Sequence, residues 1–229
     1  MFTFQIGLHK DEIEALEFIQ RSLGFGKVTV NKDVATFRVR VQAEIQTIID
    51  IFSSRPFNTT KHLNFLAFKR AFELYIGAKR KSDVKEEIGI IISRMNAIRP
   101  DRSVGDHKIS VTPNWLLGFV EGEGSFVVAK RQYTLIFSIT QSTREEVLME
   151  EIKIFLNNLP SINPSNPLRV SFSRLAAPEG LSISDSNGYD VVNFSLSKKP
   201  GRAFDVKKLS IQSNDYIKYC LIPFFDALT

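Results

Sequence analysis

The amino-acid sequence predicts an α+β protein built from two copies of one unit, and three observations predict it. In Phe2-Thr3-Phe4-Gln5-Ile6-Gly7-Leu8 the apolar residues take every second place, the period of a half-buried strand. Leu135-Ile136-Phe137-Ser138-Ile139-Thr140-Gln141 alternates in the same way. Each stretch is followed by an amphipathic helical pattern, then by two further strands and a helix. The repeat is diffuse in identity but consistent in order.

Taken in chain order, Asp11 opens the first helix with an acidic turn, Glu12-Ile13-Glu14-Ala15-Leu16-Glu17, which complements the helix dipole. Gly24 and Gly26 end it. Lys27–Asn31 and 36–41 follow as strands joined through Lys32-Asp33, with Phe37, Val39 and Val41 expected on the core face. Gln42 to Phe52 reads as the next helix. After the loop Ser53-Ser54-Arg55-Pro56, residues 62–81 and 83–98 read as two amphipathic helices. Pro100 to Asp106 is the best linker candidate, so a first unit is expected over 1–110 and a second over 111–229. In the second, a helix over Glu145–Asn157 leads to strands near Asp190–Ser197 and Phe204–Gln212. A final helix ends in Leu221-Ile222-Pro223-Phe224-Phe225.

Composition narrows the function classes. The 229 residues are 43% hydrophobic and 24% charged, enough to bury a real core, and nineteen Phe point to aromatic filling. No run approaches the roughly 18 apolar residues of a membrane span, so no membrane partner is expected. One cysteine, Cys220, excludes a disulfide framework and a Cys-based zinc site. The start reads as neither a secretory signal nor an import presequence. The net charge is +5, but residues 55–110 hold 12 basic and 6 acidic groups, against 6 and 7 before them and 12 and 12 after. The surplus is concentrated in the middle, which hints at a polyanion partner.

The most informative stretch is Thr112-Pro113-Asn114-Trp115-Leu116-Leu117-Gly118-Phe119-Val120-Glu121-Gly122-Glu123-Gly124-Ser125-Phe126. Thr before Pro is a helix start. Trp115 to Val120 is apolar around its circumference, so a short helix buried on nearly all sides is expected. Gly118 and Gly122 bare one side for close approach of another backbone, and Gly124 is a natural stop. Glu121 and Glu123 fall in the last turn, where a carboxylate opposes the helix dipole and asks for a cation. The alternative is a solvated Glu-Gly turn leaving a core helix.

The run Leu116 to Gly124 closely resembles the LAGLIDADG signature of intron-encoded homing endonucleases and related RNA maturases. Gly124-Ser125-Phe126 opens the next strand as in that family, and Leu221-Ile222-Pro223-Phe224-Phe225 resembles its closing helix. Pro56-Phe57-Asn58-Thr59-Thr60-Lys61-His62 looks like the loop after that helix, and Met95-Asn96 like the end of the trailing helix pair. The resemblance implies two pseudo-symmetric αββαββα-type units with saddle-shaped antiparallel sheets. It also implies signature helices packed side by side through Gly118 and Gly122. The eighth signature position, Glu123, would bind Mg²⁺ together with the carbonyl of Gly122, for metal-assisted phosphodiester hydrolysis. Lys61 occupies the place of an assisting lysine, and Gln141 that of a water-positioning residue.

The family's concave sheet lies along the DNA major groove, and side-chain alternation then selects the residues that face it. In the first unit these are Thr3, Gln5, Thr29, Asn31, Thr36, Arg38 and Arg40. In the second they are Ser125, Val127, Ala129, Arg131, Ser138 and Thr140. Arg38, Arg40 and Arg131 are the best base or phosphate contacts. Lys69, Arg70, Lys79, Arg80 and Lys81 are expected to touch phosphates.

The match lacks the first signature helix. Met1 begins at what reads as the second strand of copy one, so about 20 residues of the repeat are expected before it. A second chain or a separate fragment would supply the missing helix. The expected function is therefore a Mg²⁺-dependent, site-specific endonuclease acting on double-stranded DNA. The alternatives are a splicing maturase that binds structured RNA, and a non-catalytic remnant held as a structural subunit of a ribonucleoprotein. Mitochondrial, organelle-encoded expression is implied by the resemblance.

Overall fold

A computed structural model of the chain describes residues 2–95, 108–130, 133–162, 192–197 and 205–228. The chain divides into two compact units, Met1–Phe57 with Lys61–Pro100, and Asn58–Thr60 with Asp101–Thr229. The expected linker 100–106, Arg131 and the outer ends of the last two expected strands lie outside the described residues.

The first unit is a three-stranded antiparallel sheet with helices. Strand β1 (Phe4–His9) leads through a 3-10 turn, Lys10–Glu12, into α1 (Ile13–Leu23). Gly24 closes α1 in the left-handed region, φ 75°, and its N–H donates to the Gln20 carbonyl. Strands β2 (Lys27–Asn31) and β3 (Val34–Val39) form a hairpin over the two residues Lys32-Asp33, with Lys32 at φ 54°. Lys10 ties the turn down, its Nζ 2.8 Å from the Asp33 carboxylate and its N–H on the Asp33 carbonyl. Helices α2 (Gln42–Ser54), α3 (Lys61–Gly77) and α4 (Lys85–Arg94) follow. The α3 helix stops four residues short of the expected 81, at Gly77, where the helix former is poorest.

The strand order is β1-β3-β2. Leu16, Ala35, Phe37, Val39, Ile45, Ile49, Phe65 and Phe72 are buried on one side of it. Aromatic rings fill this core: Phe2 packs edge-on against Phe68 and Phe72, and Phe52 stacks on Phe57 at 4.5 Å. One expectation fails here. Val41 was expected to face the core, but β3 ends at Val39 and Val41 is 57% exposed as the residue before α2. The strand alternation stops applying once the backbone turns toward a helix.

The second unit opens with α5 (Pro113–Glu123), which runs directly into β4 (Gly124–Ala129), followed by β5 (Thr134–Ser142). A 3-10 turn, Thr143–Glu145, and α6 (Glu146–Asn157) come next, then β6 (Asn193–Ser197) and β7 (Val206–Ile211). The sheet order is β4-β5-β7-β6, so β5-β7-β6 repeats the order β1-β3-β2 and β4 adds beyond β5. The expected α+β class with two antiparallel sheets is found.

The closing helix is irregular for a covalent reason. It runs as α7 (Asn214–Tyr216), widens to a π-turn over Ile217–Leu221, and returns to α8 (Ile222–Asp226). Pro223 has no N–H to offer the Tyr219 carbonyl one turn back. That carbonyl accepts instead from the Ile162 N–H at 2.8 Å. The core of this unit gathers Leu116, Val120, Phe137, Ile139, Leu148, Met149, Ile152, Leu209, Ile211 and Phe224. Residues Asn58–Thr60 strap onto the same unit. Buried Asn58 exchanges two hydrogen bonds with the Ser110 backbone, at 2.7 and 3.0 Å, and Thr60 donates its N–H and hydroxyl to the Glu145 carboxylate.

Candidate functional site

Helix α5 starts as its sequence dictates. Thr112 is the cap, its hydroxyl accepting from the Trp115 N–H at 3.3 Å, with Pro113 in the first turn. Its circumference is not buried, contrary to expectation. Only Leu116 and Val120 are buried, Trp115, Leu117 and Phe119 are half-buried, and Asn114, Gly118, Glu121, Gly122 and Glu123 are exposed. A uniformly apolar helix on this sheet still turns just one stripe to the core, and the glycines lie off that stripe. A Cβ on Gly118 or Gly122 would meet nothing within 4 Å.

Gly124 also differs from the usual glycine stop. Its backbone is extended, at φ −80° and ψ 155°, so no left-handed turn requires it. Space does: β4 leaves the helix end so tightly that an added Cβ would lie 2.5 Å from the Val120 carbonyl oxygen. This abrupt exit leaves Glu123 as the last helical residue, with its side chain exposed, where the expectation of a helix buried on nearly all sides implied a buried carboxylate. The Gly122 carbonyl is among the last four of the helix, which have no partner four residues on within it.

A divalent cation fits this donor set in one way. Among the described residues, no group of three or more His, Cys, Asp or Glu side chains is placed to hold a metal ion. Glu123 and the Gly122 carbonyl by themselves are too few ligands for a closed protein cage. Magnesium is commonly held by one or two carboxylates together with substrate phosphates and water. Glu123 and Gly122 suit that shared type of site.

The open face of the first sheet gathers most of the expected contact residues into rows. Across the strands Gln5 pairs with Arg38, and Arg38 with Lys27; Gly7 pairs with Thr36, and Thr36 with Thr29; His9 pairs with Val34, and Val34 with Asn31. Side chains opposite one another in this way are neighbours. Gln5, Thr29 and Asn31 are exposed, and Thr36 and Arg38 are half-buried. Thr3, half-buried, lies one residue before β1, and exposed Arg40 one residue after β3.

In the second sheet Ser125 pairs with Ser138, Ser138 with Ser210, and Ser210 with Asn193, while Thr140 pairs with Lys208 and Lys208 with Ser195. Ser138 departs from expectation, because it is 6% exposed in the middle of the sheet and has no reach outward. Val127 pairs with Ile136 and Ala129 with Thr134, giving this end an apolar surface. Gln141 pairs with Lys207, one residue out of phase with Thr140, and so lies on the helix-packed face rather than the open one. Lys207 is buried there, with Nζ 2.7 Å from Glu150 and 3.1 Å from Glu146 and 4.0 Å from the Phe194 ring centroid. Burial disfavours its charge, but the hydrogen bonds to both glutamates outweigh this and raise its pKa above the ordinary lysine value.

A family model described as LAGLIDADG endonuclease matches residues 1–72 and again 116–173. The chain belongs to the LAGLIDADG endonuclease family. A probable intron-encoded endonuclease of Schizosaccharomyces pombe, Cox1-I1b, is 32% identical over 165 residues. That match covers 68% of this chain and 42% of the relative, so the chain spans less than half the length of the curated relative it matches. The fold is similar to the meganuclease I-SmaMI bound to uncleaveable DNA, with a TM-score of 0.69 and 20% identity, covering 98% of this chain and 72% of that one. It is also similar to the LAGLIDADG homing endonuclease I-GzeII in complex with its DNA target, with a TM-score of 0.68 and 20% identity, covering 98% and 73%. I-SmaMI has further been solved on uncleaved DNA in the presence of calcium ions, with a TM-score of 0.65 to this fold at 20% identity, covering 98% and 73%.

Within this family frame, five polar residues on the open faces escaped the sequence reading: His9, Lys27, Asn193, Ser195 and Lys208. The signal was present. Lys27-Val28-Thr29-Val30-Asn31 alternates, and the parity that selects Thr29 also selects Lys27. The expected phosphate contacts on the helix pair are largely tied locally. Lys69 bonds Ser53, Arg70 pairs with Glu87 at 3.1 Å, and Lys81 lies over the Tyr75 ring at 4.3 Å. Lys61 is exposed as the first residue of α3 in the first unit, and Glu123 belongs to the second.

Proposed function

We propose that this chain is a site-specific endonuclease of the homing type, acting on double-stranded DNA with Mg²⁺. The observation that carries the reading is an exposed acid, Glu123, ending a glycine-bearing signature helix. The open polar rows of two antiparallel sheets support it. Magnesium, when bound, supplies charge stabilisation on the phosphodiester and a more acidic water. Glu123 and the Gly122 carbonyl would hold it. Gly118 and Gly122 admit a second signature helix, whose acid serves the other strand. The sheet faces fix the register of the duplex by hydrogen bonds to base edges, and the exposed cations hold its phosphates. A product translated in the mitochondrion from an intron fits the intron-encoded relative.

The test is cleavage of DNA carrying the uninterrupted host-gene junction, by wild type and by Glu123→Gln. The substitution is expected to reduce cutting at least ~100-fold while binding stays within a few fold, because charge is lost but volume is kept. Equal loss of binding would make Glu123 structural and sink the reading. Failure to cut, together with rescue of intron splicing, would favour the RNA-binding maturase.

A further inference from the structure

The open face of the first sheet contains a pocket of about 370 Å³ that combines three cations with one acid: Lys27, Arg38 and Arg40 with Glu44, beside Thr29. Arg38 occupies its most constrained position. It sits on β3, the central strand, between Gln5 and Lys27 in the same row. Its Nε is sealed from solvent and has no hydrogen-bond partner among the described residues. A buried donor left without an acceptor is costly, and a guanidinium has few degrees of freedom with which to relieve it. With Nε out of reach, a guest in the pocket meets only the terminal nitrogens of the fork, which suit two acceptors side by side.

Two such guests exist on a duplex, a phosphate and the O6/N7 edge of guanine. Glu44 decides between them. A half-buried carboxylate in the same pocket repels a phosphate, whereas it accepts from the N4 amino group of a cytosine. A G·C pair offers both complements at once in the major groove. We propose that Arg38 and Glu44 read one G·C base pair of the target, Arg38 taking the guanine, while exposed Arg40 and Lys27 hold neighbouring phosphates. This deepens the proposed DNA-cutting function and rests on it.

The experiment is selection from a randomised duplex library in calcium, to block cutting, with wild type, Arg38→Gln and Arg40→Gln, each checked for an unchanged melting transition. Wild type is expected to enrich a motif with an invariant guanine that Arg38→Gln alone relaxes, losing about 5- to 150-fold discrimination there while other positions stay. Arg40→Gln is expected to weaken all sequences alike. An Arg38→Gln motif identical to wild type, or a uniform loss without a change of motif, overturns the base-reading role and leaves the nuclease reading standing. No enriched motif with wild type overturns both.

Discussion

The Cβ that Gly124 lacks would stand 2.5 Å from the carbonyl oxygen of Val120, one helical turn back. Backbone on both sides of that contact means that no side chain can yield. Gly124→Ala is thus expected to destabilise the second unit by about 2–3 kcal/mol, since the junction of α5 and β4 must open. Gly118→Ala meets no such obstacle and is expected to stabilise the helix by about 0.5–1 kcal/mol. Urea denaturation measures both. If a second helix packs along Gly118, that same stabilised variant cuts at least tenfold more slowly, and unimpaired cutting would remove the helix interface from the proposal.

Metal removal should separate activity from stability. Glu123 is exposed, and no cluster of acids among the described residues would need a cation in order to fold. Chelation is expected to abolish cleavage and leave the melting temperature of the free protein unchanged. A large drop in melting temperature would reveal a structural ion.

Lys207 predicts an asymmetry. Its side chain is 7% exposed, whereas Glu146 and Glu150 are 60% and 48% exposed. Lys207→Met leaves two carboxylates that water still solvates, so the expected loss is about 1 kcal/mol. Glu146→Ala with Glu150→Ala strands a buried cation, and about 3–5 kcal/mol is expected. Comparable losses from the two changes would contradict this account.

Alkaline pH should weaken the second unit in one direction. Burial pushes the Cys220 thiol up, and burial followed by the proximity of Cys220 pushes the Tyr216 phenol well above the tyrosine range, while Lys207 is raised as described. Each folded pKa lies above its unfolded value, so the stability it contributes is complete below the unfolded pKa and is lost as pH rises toward the folded one. The unfolded values run from about 8.5 for Cys to 10.4 for Lys. Urea midpoints are expected to be insensitive to these groups between pH 6 and 8, and to fall from about pH 9 upward. A midpoint that rises over that range would reverse the sign.

Exposed cations on the sheet are expected to set the salt response. Lys27→Ala and Arg40→Ala should each flatten the plot of log affinity against log salt by about 0.9, one phosphate contact apiece. An unchanged slope would take them off the backbone.

Much of this was readable because a strand's period is two. Phe2 to Leu8 and Leu135 to Gln141 declare their strands, and parity then assigns Gln5, Arg38 and Thr140 to the open faces. Parity failed where the chain bends, as at Val41, and where position within the sheet matters, as at Ser138. Lys207 and Lys208 are adjacent and chemically identical, yet one is buried against two glutamates and the other shares the open-face row of Thr140 and Ser195.

The residues alone determined the class and the repeated order of elements, because each depends on local periodicity and spacing, and the resemblance to the family signature singled out Glu123 from Glu121. Only tertiary structure decided which stripe of α5 reaches the core, why residue 124 must lack a side chain, and which arginine has a donor left unanswered. Those depend on contacts between segments distant in sequence or on the angle at which one element leaves another, and local patterning encodes neither.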